Sequence, residues 1–217
     1  MSPSLQNILV TIFAFIYVFG IVAIMDFFVK KGFPQDLSRK VVHIAAGSWL
    51  IFWLLYDPSH WTKYLNISPA LLWTFLLLQK GFFAKEDDQA VKTMTRTGDK
   101  KELLKGPLYF TIVMNIFGTF FYGSDLSFYA MGFLTWGDGL APVIGTRFGK
   151  HKFRILSEKS IEGSIAFSIF GIIGTIIFHL IFNIEIHWYF LFLCAITSTI
   201  IEAISPKDFD NILIPIF

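Results

Sequence analysis

Ile161-Glu-Gly-Ser-Ile-Ala-Phe-Ser-Ile-Phe-Gly171-Ile-Ile-Gly-Thr-Ile-Ile-Phe-His-Leu-Ile-Phe182 is a run whose only carboxylate stands at its second position. Crossing the hydrocarbon of a bilayer takes about 20 apolar residues at ~1.5 Å rise each, and this stretch meets that length with no polar face. Working outward, further predominantly apolar runs cover Ile8 to Phe28, Val41 to Tyr56, Pro69 to Phe83, Pro107 to Tyr122, Leu126 to Ile144 and Ile186 to Ile204. The expected fold is therefore all-α: a polytopic membrane helix bundle of about seven transmembrane helices, with residues 1–217 forming one domain. The second to fourth runs hold only 15 or 16 residues, so they must borrow flanking residues or thin the bilayer. The first is too long, and too poor in preceding basic residues, for a cleavable signal peptide.

Composition agrees. Of 217 residues 54% are apolar and 26 are Phe, and a mean hydropathy of +0.61 argues against a soluble globular protein. A single cysteine, Cys194, excludes an intramolecular disulfide and a multi-cysteine metal centre. Seventeen of the 18 Lys and Arg fall in residues 29–40, 80–105, 146–160 and the C-terminal tail, and the alternate connections hold only Lys63. By the positive-inside rule the N-terminus lies outside and the tail in the cytoplasm. Trp53, Tyr56, Trp61, Tyr64, Tyr122, Tyr129, Trp188 and Tyr189 gather near the expected outer ends, as an interfacial aromatic belt does. The polar stretch Lys85 to Lys105 reads either as a surface helix at the cytoplasmic interface or as a solvated linker.

Ionisable residues within membrane spans are costly, so their placement is informative. Asp26, His43, Lys80, Asp138, Glu162 and Glu202 all fall in the cytoplasmic halves of their spans. Asp26 and Lys80 are expected to snorkel or pair locally, and His179 and His187, toward the outer side, to be structural. Asp138 differs, because Gly137 and Gly139 flank it and a basic, glycine-punctuated loop follows. A carboxylate at the end of a span suits Mg²⁺, which binds hard oxygens together with substrate phosphates. Lys and Arg neutralise phosphate charge, and free N–H groups at the start of the helix opening at Ile161 would make an anion site. The plainer reading is a positive-inside loop with glycine turns. Two familiar phosphate motifs fail here: Gly145-Thr-Arg-Phe-Gly149-Lys150-His151 is one residue short of a P-loop, and Gly137-Asp-Gly139 lacks the third glycine of a dinucleotide fingerprint at Pro142.

The pattern Asp138-x-x-Ala141-x-x-x-Gly145-x-x-Phe-Gly149-Lys150, followed by Lys159-Ser160-x-x-Gly163-Ser164, resembles the superfamily of CTP-dependent polyprenol kinases and phosphatidate cytidylyltransferases. Three more stretches resemble the kinases: Arg39-Lys40-Val-Val-His43, then Arg96-Thr-Gly-Asp-Lys-Lys-Glu102-Leu-Leu-Lys-Gly106-Pro107-Leu-Tyr109, which is similar to phytol and farnesol kinases in particular, and Glu202 with Asp210-Asn211-Ile-Leu-Ile-Pro215. Cytidylyltransferases continue into a Gly/His-rich segment, whereas this sequence stops at Pro215-Ile-Phe217, which argues against nucleotidyl transfer. Glu162 stands where some phytol kinases carry a small residue and cytidylyltransferases carry Glu.

The resemblance implies an integral membrane isoprenoid alcohol kinase that moves the γ-phosphate of CTP, with UTP as a possible donor, to phytol, geranylgeraniol or farnesol at the cytoplasmic face. The lipid alcohol would enter from the bilayer, and no nucleic acid takes part. It further implies that Asp138 ligates Mg²⁺ or orients the attacking hydroxyl, and that Lys159, Ser160 and the Gly163 turn hold phosphates, with Gly145, Lys150 and Lys152 assisting. Arg39 and Lys40 would meet the nucleotide. His43 is a general base, a phosphate donor or a packing histidine. Glu202 and Asp210 are candidates for a second metal contact, Asp210 alternatively for a helix cap, and Asn211 for the residue that terminates the last helix. Glu102, Gly106 and Pro107 mark the substrate motif. The alternatives are a CTP-dependent diacylglycerol or dolichol kinase, a CTP:phospholipid cytidylyltransferase and, outside enzymes, a small transporter using Asp138 and Glu202. A transporter would place charge at mid-membrane and often repeat a half; neither is seen.

Overall fold

The computed structural model describes residues 1–85 and 87–216; Glu86, within the Lys85 to Lys105 stretch, and Phe217 lie outside the described residues. The chain is helical apart from one two-stranded hairpin. It forms two compact units, Met1–Gly123 and Ser124–Phe217. Three helical stretches are long and apolar enough to cross a membrane: Pro3–Lys30, Lys100–Phe120 and Ile161–Phe182.

The first unit is organised by helix α1, Pro3–Lys30, which Ser2 caps and Pro3 opens. Its buried stripe runs through Asn7, Val10, Ala14, Val18, Val22 and Met25 at three- and four-residue spacing. Its other faces leave Phe13, Ile16, Ile24 and Phe27 exposed, more outward apolar surface than a water-soluble monomer carries. Helix α2 spans Gln35–Gly47, α3 Ser68–Phe83, the short α4 Gln89–Met94 and α5 Gly106–Phe120.

The run Val41 to Tyr56 is not one α-helix. It ends as α-helix at Gly47 and continues as the 3-10 helix Ser48–Leu55. That winding rises about 2.0 Å per residue in place of ~1.5 Å, so a short apolar run reaches farther than its residue count suggests. The aromatic belt also divides. Trp53, Tyr56 and Tyr129 are buried, while Trp61, Trp188 and Tyr189 are exposed. Polar handles draw some of them inward: the Trp49 indole donates to the Asn66 carbonyl at 3.0 Å, the Trp53 indole to Asn66 Oδ1 at 3.1 Å, and Asn66 Nδ2 to the Gly118 carbonyl at 3.0 Å. Tyr56 pairs with Thr11 at 2.9 Å.

The Lys85 to Lys105 stretch is neither a lone surface helix nor a solvated linker. Val91, Met94 and Leu103 are buried in one cluster with Leu77 and Leu108, and this apolar contact holds α4 and the 3-10 turn Lys100–Leu104 against the unit. Asp26 and Lys80 do pair locally, Asp26 accepting from the Thr93 hydroxyl and Lys80 bonding Asp88 at 2.7 Å.

The second unit opens with α6, Asp125–Gly132, which passes through the π-helical turn Phe133–Gly137 into α7, Asp138–Phe148. A hairpin follows: β1, Lys152–Arg154, and β2, Glu158–Ser160, pair antiparallel with Phe153 opposite Lys159. An all-helical reading missed it, because its three-residue strands are too short for alternation to register. Helix α8, Ile161–Phe182, and α9, Trp188–Ile204, complete the frame, and the short α10, Asp210–Leu213, closes the described chain with a 3-10 turn. His179 is structural as expected: fully buried, it bonds the Thr175 carbonyl at 2.8 Å and Asp125 at 2.7 Å, tying α8 to α6.

Helix α8 lies against α6 at glycine contacts. A Cβ on Gly132 would come within 2.7 Å of the Thr175 backbone nitrogen, whereas one on Gly20 would meet nothing within 4 Å. Gly132→Ala is therefore expected to destabilise the protein by about 1–3 kcal/mol through overpacking, and Gly20→Ala to be neutral or to stabilise by up to about 1 kcal/mol through helix propensity. Thermal unfolding of both variants in the same detergent checks the contrast; equal shifts would mean that the close α6 to α8 approach is absent.

Candidate active site

In the second unit, strand β2 is progressively more buried along its length, from the exposed Glu158 through the half-buried Lys159 to the buried Ser160. Its pairing with β1 fixes that register and sends the Lys159 ammonium to Glu202 Oε1 at 2.6 Å and Asp210 Oδ2 at 3.3 Å. Glu202 stands on the last turn of α9 and Asp210 at the start of α10, so three separate elements meet at one charge. Ser164, on the first turn of α8, donates to the other Glu202 oxygen at 3.1 Å.

Burial alone would lower the Lys159 pKa. The charges of Asp210 and Glu202, the hydrogen bond to Glu202 and the charge of Asp138 outweigh it and hold the pKa above the usual lysine value. Lys159 is thus a permanent cation at physiological pH. Asp138 is almost fully buried. The π-turn before it rotates the helix by about one residue relative to an α-helical continuation, and Pro142, four residues on, lacks the N–H that would bond the Asp138 carbonyl.

Two N–H groups at the start of α8 are bonded within the chain. Ile161 N–H bonds the His151 carbonyl at 3.0 Å and Gly163 N–H the Ser160 hydroxyl at 3.1 Å. Ser160 is thereby the N-cap of α8. Gly145 and Gly163 face each other across α7 and α8: a Cβ on Gly163 would lie 3.2 Å from the Gly145 Cα and 3.0 Å from Ser160 Oγ. These glycines allow close helix packing. Lys152 bridges to Glu158 at 3.1 Å on the exposed hairpin, and Lys150 is exposed beside it. Glu162 bonds His151 Nδ1 at 2.7 Å, which fastens the loop before β1 to α8.

Asn211 does not terminate the last long helix. Helix α9 ends at Ile204, and Asn211 lies buried inside α10, bonded to Asp210 Oδ1 at 3.2 Å. Nor does Asp210 end a helix; it begins one.

Magnesium has a fitting donor set here. Glu202 and Asp210 already hold a cation between them, and Ser164 adds a hydroxyl oxygen. Among the described residues no three His, Cys, Asp or Glu are grouped to hold a metal by themselves. One or two carboxylates completed by nucleotide phosphates is the arrangement in which Mg²⁺ is commonly held.

In the first unit Arg39, Lys40 and His43 are buried on α2. The His43 ring lies against Phe110, with centroids 4.0 Å apart. Glu102 fastens its own loop, accepting from the Arg96 N–H at 2.6 Å and the Thr97 hydroxyl at 2.8 Å. Gly106 and Pro107 form the first turn of α5.

Compared with curated proteins, the chain is 32% identical over 209 residues to a protein named probable phytol kinase 2, chloroplastic, of Oryza sativa subsp. japonica, covering 89% of this chain and 69% of that protein. It is 30% identical over 226 aligned positions to a probable phytol kinase, chloroplastic, of Zea mays, covering 98% and 74%. The chain belongs to the phytol kinase family. Within this family it is also 33% identical, over 68% of its length and 49% of the relative's, to the farnesol kinase, chloroplastic, of Arabidopsis thaliana. No family model matches the sequence, and no solved structure matches it.

Sequence reasoning left two participants aside. Ser164 was quoted within a motif but given no role, and its serine at the second position after a Gly turn carries no distinctive signal. Trp73, within an apolar run, reads as ordinary core. Its indole nitrogen is buried without a hydrogen-bond partner among the described residues.

Proposed function

We propose that this chain is a membrane-embedded prenyl alcohol kinase, transferring the γ-phosphate of CTP to an alcohol such as phytol, geranylgeraniol or farnesol, with Mg²⁺. The observation that carries the reading is the Lys159, Glu202 and Asp210 cluster, with the charge of Asp138 acting on the same ammonium, in a member of the phytol kinase family.

Phosphoryl transfer asks the protein mainly for positioning and charge neutralisation. Lys159 exchanges one carboxylate partner for a phosphate oxygen of the nucleotide, and its raised pKa keeps it cationic while it does so. Glu202 and Asp210 would hold Mg²⁺ together with the phosphates, and the ion would supply charge neutralisation of the transferring group. Asp138 accepts the hydrogen bond of the attacking hydroxyl or joins the ligands. The alcohol oxygen forms a bond to the γ-phosphorus, the bridging bond to CDP breaks, and the hydroxyl proton leaves to a carboxylate. Ser160, Gly145 and Gly163 keep α7 and α8 in register around these groups, and Lys150 and Lys152 offer a basic approach for the nucleotide.

The seven-span arrangement, with its N-terminus outside and the site toward the cytoplasm, rests on the one-sided distribution of basic residues and is supported by the outward apolar faces of α1, α3, α8 and α9. A prenyl alcohol partitions into such surroundings, each buried CH₂ favouring lipid by about 0.8 kcal/mol.

The test supplies purified protein and Mg²⁺ with γ-labelled CTP, UTP or ATP and a panel of phytol, geranylgeraniol, farnesol, dolichol and diacylglycerol. Labelled prenyl monophosphate with release of CDP is expected. Pyrophosphate release with α-label in the lipid product would overturn the kinase reading in favour of nucleotidyl transfer.

A further inference from the structure

The first unit contains an apolar cavity of about 70 Å³, open at its mouth and walled by α1, α2, α3, α5 and Met94 of α4. From α2 it receives Arg39, Val42, His43 and Ala46, a three- and four-residue spacing that puts them on one helix face. Along that face the wall grades from a guanidinium through an imidazole to a methyl group within two turns. The remaining walls are nearly all hydrocarbon, with Val18, Ala70, Phe110 and Met114 among them. His43 is held by its ring contact with Phe110, so the polar end is ordered by the apolar wall beside it. Trp73, another wall residue, carries a buried indole N–H with no acceptor among the described residues.

We propose that this cavity seats the isoprenoid chain of the acceptor alcohol, and that Ala46 and Ala70 set the chain length admitted. The proposal rests on the prenyl alcohol kinase reading and adds the place and the gauge of the chain. A single branched hydrocarbon chain matches a lumen whose walls are nearly all hydrocarbon. Ala46 and Ala70, at the end of the α2 face away from Arg39 and on α3, are the small side chains of the wall, and enlarging either shortens the space.

The test has two arms. In the first, wild-type protein without nucleotide is irradiated with a geranylgeraniol analogue carrying a diazirine at the chain terminus, and labelled peptides are mapped. Labelling of the segments bearing Ala46 and Ala70, displaced by unmodified geranylgeraniol, is expected; labelling confined to other helices would overturn the proposal. In the second arm, Ala46→Leu and Ala46→Phe are expected to shift the kcat/KM ratio toward farnesol over geranylgeraniol, by roughly tenfold or more for Phe. Val41→Phe, exposed on the same helix, should leave the ratio unchanged. An unchanged ratio in a folded Ala46→Phe variant counts against the gauge. The two readings fail separately: wild-type protein that phosphorylates no alcohol but labels at Ala46 loses the kinase reading and keeps the lipid site, while active protein labelled elsewhere keeps the kinase reading and loses this one.

Discussion

Asp138→Asn is expected to lower turnover by roughly 10²-fold or more, the scale of removing a catalytic carboxylate or metal ligand, while leaving the protein folded. The side chain is almost wholly buried, and an amide of the same shape is cheaper to bury than a carboxylate, so no large loss of stability accompanies the change. What disappears is a negative charge that acts on Lys159 and stands where the helix leaves its π-turn. Turnover, thermal unfolding in detergent and Mg²⁺-dependent CTP binding, measured together, separate the possible roles. Lost turnover with intact nucleotide binding makes Asp138 the group that orients the alcohol; loss of both makes it a ligand. Near-normal turnover at saturating Mg²⁺ would remove it from the site.

Lys159→Met carries the largest expected effect on stability. The ammonium is the shared partner of Glu202 and Asp210, whose side chains are only 4% and 13% exposed. Taking one partner out of such a buried pair costs about 3–5 kcal/mol, because the remaining charges stay desolvated and, here, repel each other. Lys159→Met with Glu202→Gln should recover part of the stability, since one of the two uncompensated charges is gone, but no activity. Unfolding midpoints of the single and double variants at neutral pH check this, and a single variant as stable as the parent would mean that the cluster does not form. Lys63→Met, far along the sequence and outside the cluster, should do neither.

Hydrophobic run length was enough to find the long helices, because spanning demands a fixed number of apolar residues wherever the run occurs. The runs at Ile8 to Phe28, Pro69 to Phe83 and Ile161 to Phe182 became α1, α3 and α8 with small shifts at their ends. Residue type likewise drew attention to Asp138, Lys159, Glu202 and Asp210, since charges beside apolar runs are too costly to be incidental. Composition could not say that three of them act on one ammonium: Lys159 and Asp210 are brought together across 51 residues by a hairpin register and a short final helix, neither of which leaves a periodic signal.

Nor was the use of Ser160, Gly145 and Gly163 legible. Loop glycines and a serine before a helix carry no signal of a cap or a close helix crossing in the sequence, and the Gly163 N–H bond to Ser160 and the facing Cα atoms show both. The same holds for Trp53 and Tyr56, whose amphipathic side chains suit an interface until Asn66 and Thr11 give their polar ends a partner inside. The sequence by itself determined which segments are helical and which residue types carry charge among them, because both follow from local transfer free energies. Which charges meet, which polar groups are already satisfied and where a cavity is left open were decided by tertiary structure alone, since each depends on contacts between segments that the linear order keeps apart.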